Sequence, residues 1–270
     1  MLNSMTNVTN TNTTQIAAPI TIAAFATIFL SFGNDKISRG VGIFDLPAWF
    51  TCPAKGFCQK YCSAFKAQVG KWKGVAPARW QNFHASLRDD FVDNMVARIQ
   101  TSGVCWIRFQ VSGDLYNQAY VQKLAEIARR LPNVNFYLYT KSLDLDLAPL
   151  TSLPNFTVIR SFGGSHDRLI ETSRDNYARV IQEPNEQRKG EFLCPEGLGT
   201  LGGRVGEKLC GGNCSYCLSD KKTEKTEPHQ IKVVFLLRKG GWNGNKLPPP
   251  PPTLPSLPQR PSTRSHVGGQ

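Results

Sequence analysis

Histidine is scarce: the 270 residues hold four, His84, His166, His229 and His266, and no two of them lie near each other. That argues against a metal-dependent hydrolase, whose site is normally built from clustered His, Asp and Glu. Acidic residues are missing from Ile231 to the end, where six basic ones stand (Lys232, Arg238, Lys239, Lys246, Arg260, Arg264). Half of the net charge of +12 therefore sits in the tail. The other basic residues are scattered, and no nucleic-acid module signature is present. The charge leaves a basic surface open to nucleic acid but speaks for solubility and general attraction to anions more than for a fold. No apolar run reaches the ~20 residues of a membrane helix: the longest, Ile16 to Leu30, is interrupted by Pro19. No Lys or Arg precedes that run and no clear cleavage site follows it, so no secretory signal is expected. No internal repeat is visible. These absences predict a cytoplasmic protein without a membrane partner, in which thiols stay reduced.

Cysteine is what the chain has in concentrated form. Cys52, Cys58 and Cys62 lie within eleven residues, spaced C-x5-C-x3-C, after an apolar run from Val41 to Leu46 that Pro47 ends. Three thiolates on one Pro/Gly/Lys-rich loop are able to share a soft metal centre and leave one position open for a small molecule. A disulfide would need an oxidising compartment, and inert buried cysteines do not usually bunch in such a loop. A second set, Cys210, Cys214 and Cys217, is spaced C-x3-C-x2-C, with Cys194 sixteen residues upstream. Four thiolates suffice for a closed site, either tetrahedral zinc or an iron–sulfur cluster. The eighth cysteine, Cys105, belongs to neither set and reads as a packed strand residue.

Between the two sets the pattern alternates. A short helix is expected within 60–73. From Trp80 to Ile99 one helical stripe runs through Trp80, Phe83, Leu87, Phe91, Met95 and Ile99, with His84 beside it as a partly buried residue. Cys105 to Val111 reads as a strand closed by Ser112-Gly113-Asp114. A helix through Tyr120, Leu124, Ile127, Ala128 and Leu131 stops at Pro132. Strands follow at Asn135 to Tyr139, ending in Thr140-Lys141-Ser142, and at Phe156 to Arg160, ending in Ser161 to Ser165. A helix is expected from about Asp167 to Ile181, then a short strand at Glu191-Phe192-Leu193. Strands alternating with helices predict a parallel α/β sheet, here a partial (βα) barrel-like core with a C-terminal cysteine-rich metal-binding extension. Sites in such folds form at the C-terminal ends of the strands. The predicted division is a polar tail and apolar lead-in (1–28), the α/β core with its three-cysteine loop (29–193), the cysteine-rich extension (194–230), a last strand (231–246) and a disordered tail (247–270). Eight prolines between 247 and 261 give that tail a polyproline character.

Several segments together carry a resemblance. Phe29-Leu30-Ser31-Phe32-Gly33-Asn34, Phe44-Asp45-Leu46-Pro47-Ala48, Thr51-Cys52-Pro53-Ala54, the Cys58 to Cys62 segment, Val111 to Tyr116 and Tyr139-Thr140-Lys141-Ser142 resemble the phage and plasmid family called gene product 88. The layout is also similar to radical S-adenosylmethionine enzymes. That resemblance implies a [4Fe–4S] cluster on Cys52, Cys58 and Cys62, and S-adenosylmethionine as a second cofactor. It implies cofactor contacts at Ser112, Gly113 and Asp114, with Asp114 accepting from an ammonium group. Lys141 and Ser142 would meet the cofactor or the substrate. Cys194, Cys210, Cys214 and Cys217 would hold a second [4Fe–4S] cluster or zinc, and a flavodoxin or ferredoxin would supply electrons. The rival reading is a non-enzymatic zinc protein that binds nucleic acid. Neither reading names a substrate.

Overall fold

A computed structural model describes residues 28–70, 72–195, 210–211, 214–218 and 230–237. The readings of residues 1–27 and of the proline-rich tail lie outside the described residues.

Eight strands form one sheet: β1 (Ser31–Phe32), β2 (Val41–Phe44), β3 (Trp106–Phe109), β4 (Asn135–Thr140), β5 (Phe156–Ser161), β6 (Tyr177–Ile181), β7 (Phe192–Leu193) and β8 (Lys232–Leu236). The order is β1-β2-β3-β4-β5-β6-β8-β7. β1 is antiparallel to β2, and all the other pairings are parallel. The fold is therefore mixed α/β with a mostly parallel sheet. Among the described residues no pairing between β1 and β7 closes it.

The strands alternate their side chains, and this gives the sheet two unlike faces. Phe44, Ile107, Phe109, Phe136, Leu138, Phe156 and Val158 pack into one cluster with the helices. On that face Phe109, Phe136 and Phe156 stack across three neighbouring strands, with centroids 5.7 and 5.8 Å apart. The helices are α1 (Ser63–Val69), α2 (Val75–Leu87), α3 (Phe91–Ser102), α4 (Gln118–Arg130) and the single-turn α5 (Ala148–Thr151). α4 buries Tyr120, Val121, Leu124, Ala125, Ile127 and Ala128 on one stripe. Asn117 caps its start by accepting from the Tyr120 N–H at 2.9 Å. The opposite face carries Val41, Ile43, Tyr137 and Ile159 and is covered by Ile37, Leu218, Cys194, Tyr216 and Cys217.

Three expectations are corrected. The stripe from Trp80 to Ile99 is two helices, because the chain breaks at Arg88-Asp89-Asp90 and Leu87 turns outward, 40% exposed. Lys123 Nζ donates to the Ser86 and Arg88 carbonyls left open by that break (2.8 and 2.7 Å). The helix expected over Asp167 to Ile181 is a 3-10 turn (Asp167–Leu169) followed by β6. Asp167 accepts from the Gly163 and Gly164 N–H groups and Asp175 from that of Glu171, so these carboxylates stabilise turns rather than a helix. Cys105 precedes β3 and is exposed rather than packed.

β8 lies inside the sheet, between β6 and β7. The loop from β6 to β7 is pinned by Glu191. Its carboxylate accepts from Tyr177 OH (2.9 Å), from Arg179 Nε and Nη2 (2.7 and 2.6 Å) and from the Arg188 N–H (2.7 Å). Burial pushes this carboxyl up, but the Arg179 fork and the other donors outweigh it and hold the group below its ordinary value of 4.5. A depressed carboxyl stabilises the fold above its unfolded-state value and stops doing so as the pH falls through the folded one. Denaturant midpoints measured across pH 3–7 are therefore expected to fall below about pH 4.5 more steeply in the wild type than in Glu191→Gln. Parallel pH profiles would contradict this role.

Candidate metal and cofactor site

The loop after β2 is strapped to the loop after β3 before it reaches any cysteine. Leu46 N–H donates to the Ser112 carbonyl (3.0 Å), and Ser112 Oγ donates to that of Leu46 (2.8 Å). The Ser112 N–H donates to Asp45 Oδ1 (3.0 Å) and the Asp114 N–H to the Thr51 carbonyl (3.1 Å). Helix α2 braces the same loop from outside. Asn82 Nδ2 donates to the carbonyls of Phe29 and Asp45, and Arg79 lies 3.6 Å from Asp45. Beyond Cys52 the loop crosses to the end of β5, where Ser165 N–H donates to the Ala54 carbonyl and Cys58 N–H to that of Gly163. Cys58 lies in a 3-10 turn (Phe57–Tyr61), and Cys62 caps α1, its Sγ accepting from the Phe65 N–H at 3.4 Å.

A cavity of about 310 Å³ opens beneath this loop. Cys52, Cys58 and Cys62 line one side, Ser112, Gly113, Asp114, Lys141 and Ser161 the strand ends, and Arg108, Gln110 and Tyr139 the floor. Among the described residues the non-glycine positions with positive φ are Trp49 (69°) and Gln110 (53°), and both line this cavity. Each such residue costs about 1–2 kcal/mol, and strain of this kind gathers at functional sites.

The predicted residues divide by role. Ser112 and Gly113 serve the strap. Gly113 has φ +80°, and a Cβ there would stand 2.5 Å from Thr51 Oγ1 and 2.6 Å from Leu46 Cβ. Asp114 is buried and accepts from Leu115 N–H (2.7 Å), Thr140 Oγ1 (2.6 Å) and Lys141 N–H (2.8 Å). Burial pushes its carboxyl above the ordinary range, while these donors pull it back. Lys141 Nζ donates to Ser161 Oγ at 2.6 Å. Ser142 is buried behind Lys141, its N–H on Thr140 Oγ1, and does not line the cavity. Burial, with Asp114 nearby, pushes the Cys52 thiol up to about 12, and burial also raises Cys62. Thiols so placed ionise when a cation joins them.

The second cysteine set lies on the helix-free face. Cys194 follows β7, its N–H on the Val234 carbonyl, and packs with Cys217 against Ile159, Ala178 and Val233. Cys210 packs beside Ile37, Val41 and Tyr137 and forms a backbone bridge with Cys214. Burial first, then the neighbouring thiols, pushes Cys194 up to about 12. All eight cysteines are free. No group of three or more His, Cys, Asp or Glu among the described residues is drawn together as a metal site. A cluster with one cysteine per iron calls for thiols spread around a cavity rather than gathered at a point.

Two features escaped the motif reading. Arg108 interrupts an otherwise apolar strand and, by alternation, faces away from the helices; that charge in mid-strand was the available signal. Its Cζ lies 4.8 Å from the Tyr139 ring centroid and 5.6 Å from that of Tyr137. The second is that no Asp or Glu occurs between Asp45 and Asp89, while Lys55, Lys60, Lys66, Lys71, Lys73, Arg79 and Arg88 do. Phe57 and Trp72 in that stretch are each 58% exposed.

Gly113→Ala combines a left-handed φ with overpacking and is expected to destabilise the protein by about 2–4 kcal/mol in denaturant unfolding. A change below about 0.5 kcal/mol, the range of an ordinary surface substitution, would show that the strap is not as tight as described.

A family model described as gene product 88 matches residues 7–247. No curated protein and no solved structure shows a match.

Proposed function

The chain belongs to the gene product 88 family, and from that premise we propose that it is an iron–sulfur protein of the radical S-adenosylmethionine-like type. The observation that supports this most is the placing of three free cysteines of one loop around a single cavity at the C-terminal ends of parallel strands. In this reading the sheet curves as a partial barrel, and Cys52, Cys58 and Cys62 hold a [4Fe–4S] cluster. When bound, such a cluster supplies the electron that cleaves S-adenosylmethionine reductively.

The chain's own residues bind and orient. Gly113 lets the backbone of the β3 loop approach the cysteine loop closely. Asp114 has one acceptor position left on Oδ2 for an ammonium group, since that oxygen takes a single hydrogen bond from the protein. Lys141 and Ser161 stand at the neighbouring strand ends to meet a ribose or carboxylate, and Ser142 supports Lys141 from behind. Trp49, Tyr61 and Tyr139 wall the cavity and limit water. The set of Cys194, Cys210, Cys214 and Cys217 would hold a second cluster or zinc, and an electron-transfer protein would supply reducing equivalents.

The acid-free basic stretch around the loop, with its exposed Phe57 and Trp72, favours a second reading: a zinc protein that binds nucleic acid.

Anaerobic purification followed by iron, sulfide and zinc assays separates the two. About four iron and four sulfide per chain, or twice that, are expected, with the triple variant Cys52→Ala, Cys58→Ala, Cys62→Ala losing about four of each. The wild type is then expected to bind S-adenosylmethionine, and the triple variant not. Zinc alone, with salt-dependent binding to DNA or RNA, would replace the enzyme reading by the second.

A further inference from the structure

The cavity wall has an uneven charge. Lys55, Arg108 and Lys141 line it, and the one carboxylate that does so, Asp114, is already engaged by three donors. Arg108 is the least explained of the cations. Among the described residues no carboxylate lies within ion-pair distance of its guanidinium, and its Nε is buried without a hydrogen-bond partner. What it has instead is the face of Tyr139 and that of Tyr137, with the Cys210 and Cys217 thiols within electrostatic reach. A guanidinium held over an aromatic ring keeps its in-plane N–H groups available, and these match the two oxygens of a carboxylate or phosphate. Leaving such a cation unpaired in a walled site is costly, and an oxyanion removes that cost. Lys141 adds a second positive group, hydrogen-bonded to the neutral Ser161 and close enough to Asp114 to act on that carboxylate.

We propose that the cavity takes its substrate by an oxyanion, a carboxylate or phosphate group held by Arg108 with Lys141 beside it. Trp49, Tyr61, Val180 and Phe235 complete the wall and receive an apolar or aromatic body. The substrate class is thus a small organic acid or phosphate ester. This rests on the reading of the cavity as the reaction site. S-adenosylmethionine does not account for Arg108, because in that reading its ammonium group would meet Asp114 and its ribose or carboxylate would meet Lys141 and Ser161.

The test is calorimetric titration of the anaerobically purified full chain with two probes, inorganic phosphate and benzoate, for the wild type, Arg108→Gln and Arg108→Lys. Iron, sulfide and zinc are assayed on the same samples. Either probe is expected to bind the wild type, Arg108→Gln to weaken it tenfold or more, and Arg108→Lys to restore part of the loss at unchanged metal content. Binding of phosphate alone assigns a phosphate ester, and binding of benzoate alone assigns an acid. Should Arg108→Gln not fold, Lys141→Gln gives the same comparison, with a loss of at least threefold expected. The proposal is overturned if neither probe binds the wild type, or if the variants bind as tightly as it does. It is also overturned if Arg108→Gln loses metal while anion binding stays intact, since Arg108 would then serve Cys210 and Cys217. A wild type without iron that still binds a probe through Arg108 would remove the iron–sulfur reading and leave the anion site standing.

Discussion

The hydrogen bonds that Ser112 exchanges with the Leu46 backbone, and the one it donates to the Asp45 carboxylate, hold the mouth of the sheet together. β2 and β3 end side by side, and without this exchange their two loops would leave buried polar groups unsatisfied. From that strap the other constraints follow in order. Asp45 is fixed for Arg79 and Asn82 to brace, which ties the loop to α2. Gly113 is pressed against Thr51, and Asp114 is turned toward the end of β4. The cysteines therefore hang from a frame built of residues outside their own loop.

The division of labour between the two sheet faces explains where chemistry collects. Phe109 and Arg108 are neighbours in sequence, yet one lies in an aromatic stack under the helices and the other lines the cavity floor. The helix side is bound by apolar burial, each large side chain contributing roughly 1.5–3 kcal/mol. The opposite side carries the tyrosines, the arginine and the second cysteine set. The second cysteine set thus packs against the same side of the sheet that gives Arg108 and Tyr139 to the cavity of the first.

Much of this was legible in the chain, and what was not has identifiable causes. β3, β4 and β5 are β-prone runs bounded by clear turn residues, so their positions and the gathering of their ends could be inferred. Ser112, Gly113 and Asp114 follow β3 as turn residues, and their first task is to anchor the cysteine loop, which spacing along one segment does not show. β6 was hidden because Asp167 and Asp175 look like helix-start residues, and its partner strand lies more than fifty positions downstream. The single apparent stripe of α2 and α3 was broken by three charged residues, and the carbonyls of Ser86 and Arg88 opened by that break needed a distant lysine, Lys123. Arg108 was overlooked because a lone charge in a strand acquires meaning only once the strand is known to have a helix-free side.

The position of β8 sets the order in which the molecule is completed. The sheet's sequential run ends at Tyr177–Ile181, and the segment that pairs with it is synthesised about fifty residues later. Until Lys232–Leu236 emerges, β6 has a bare edge, and β7, whose one strand partner among the described residues is β8, has no place in the sheet. Closing so long a loop is slow compared with forming the local helices. A nascent or truncated chain ending before residue 232 thus carries its first cysteine set on a nearly finished frame while Cys194 lacks the strand that seats it. The emergence of β8 is therefore also the step that commits Cys194 to its place.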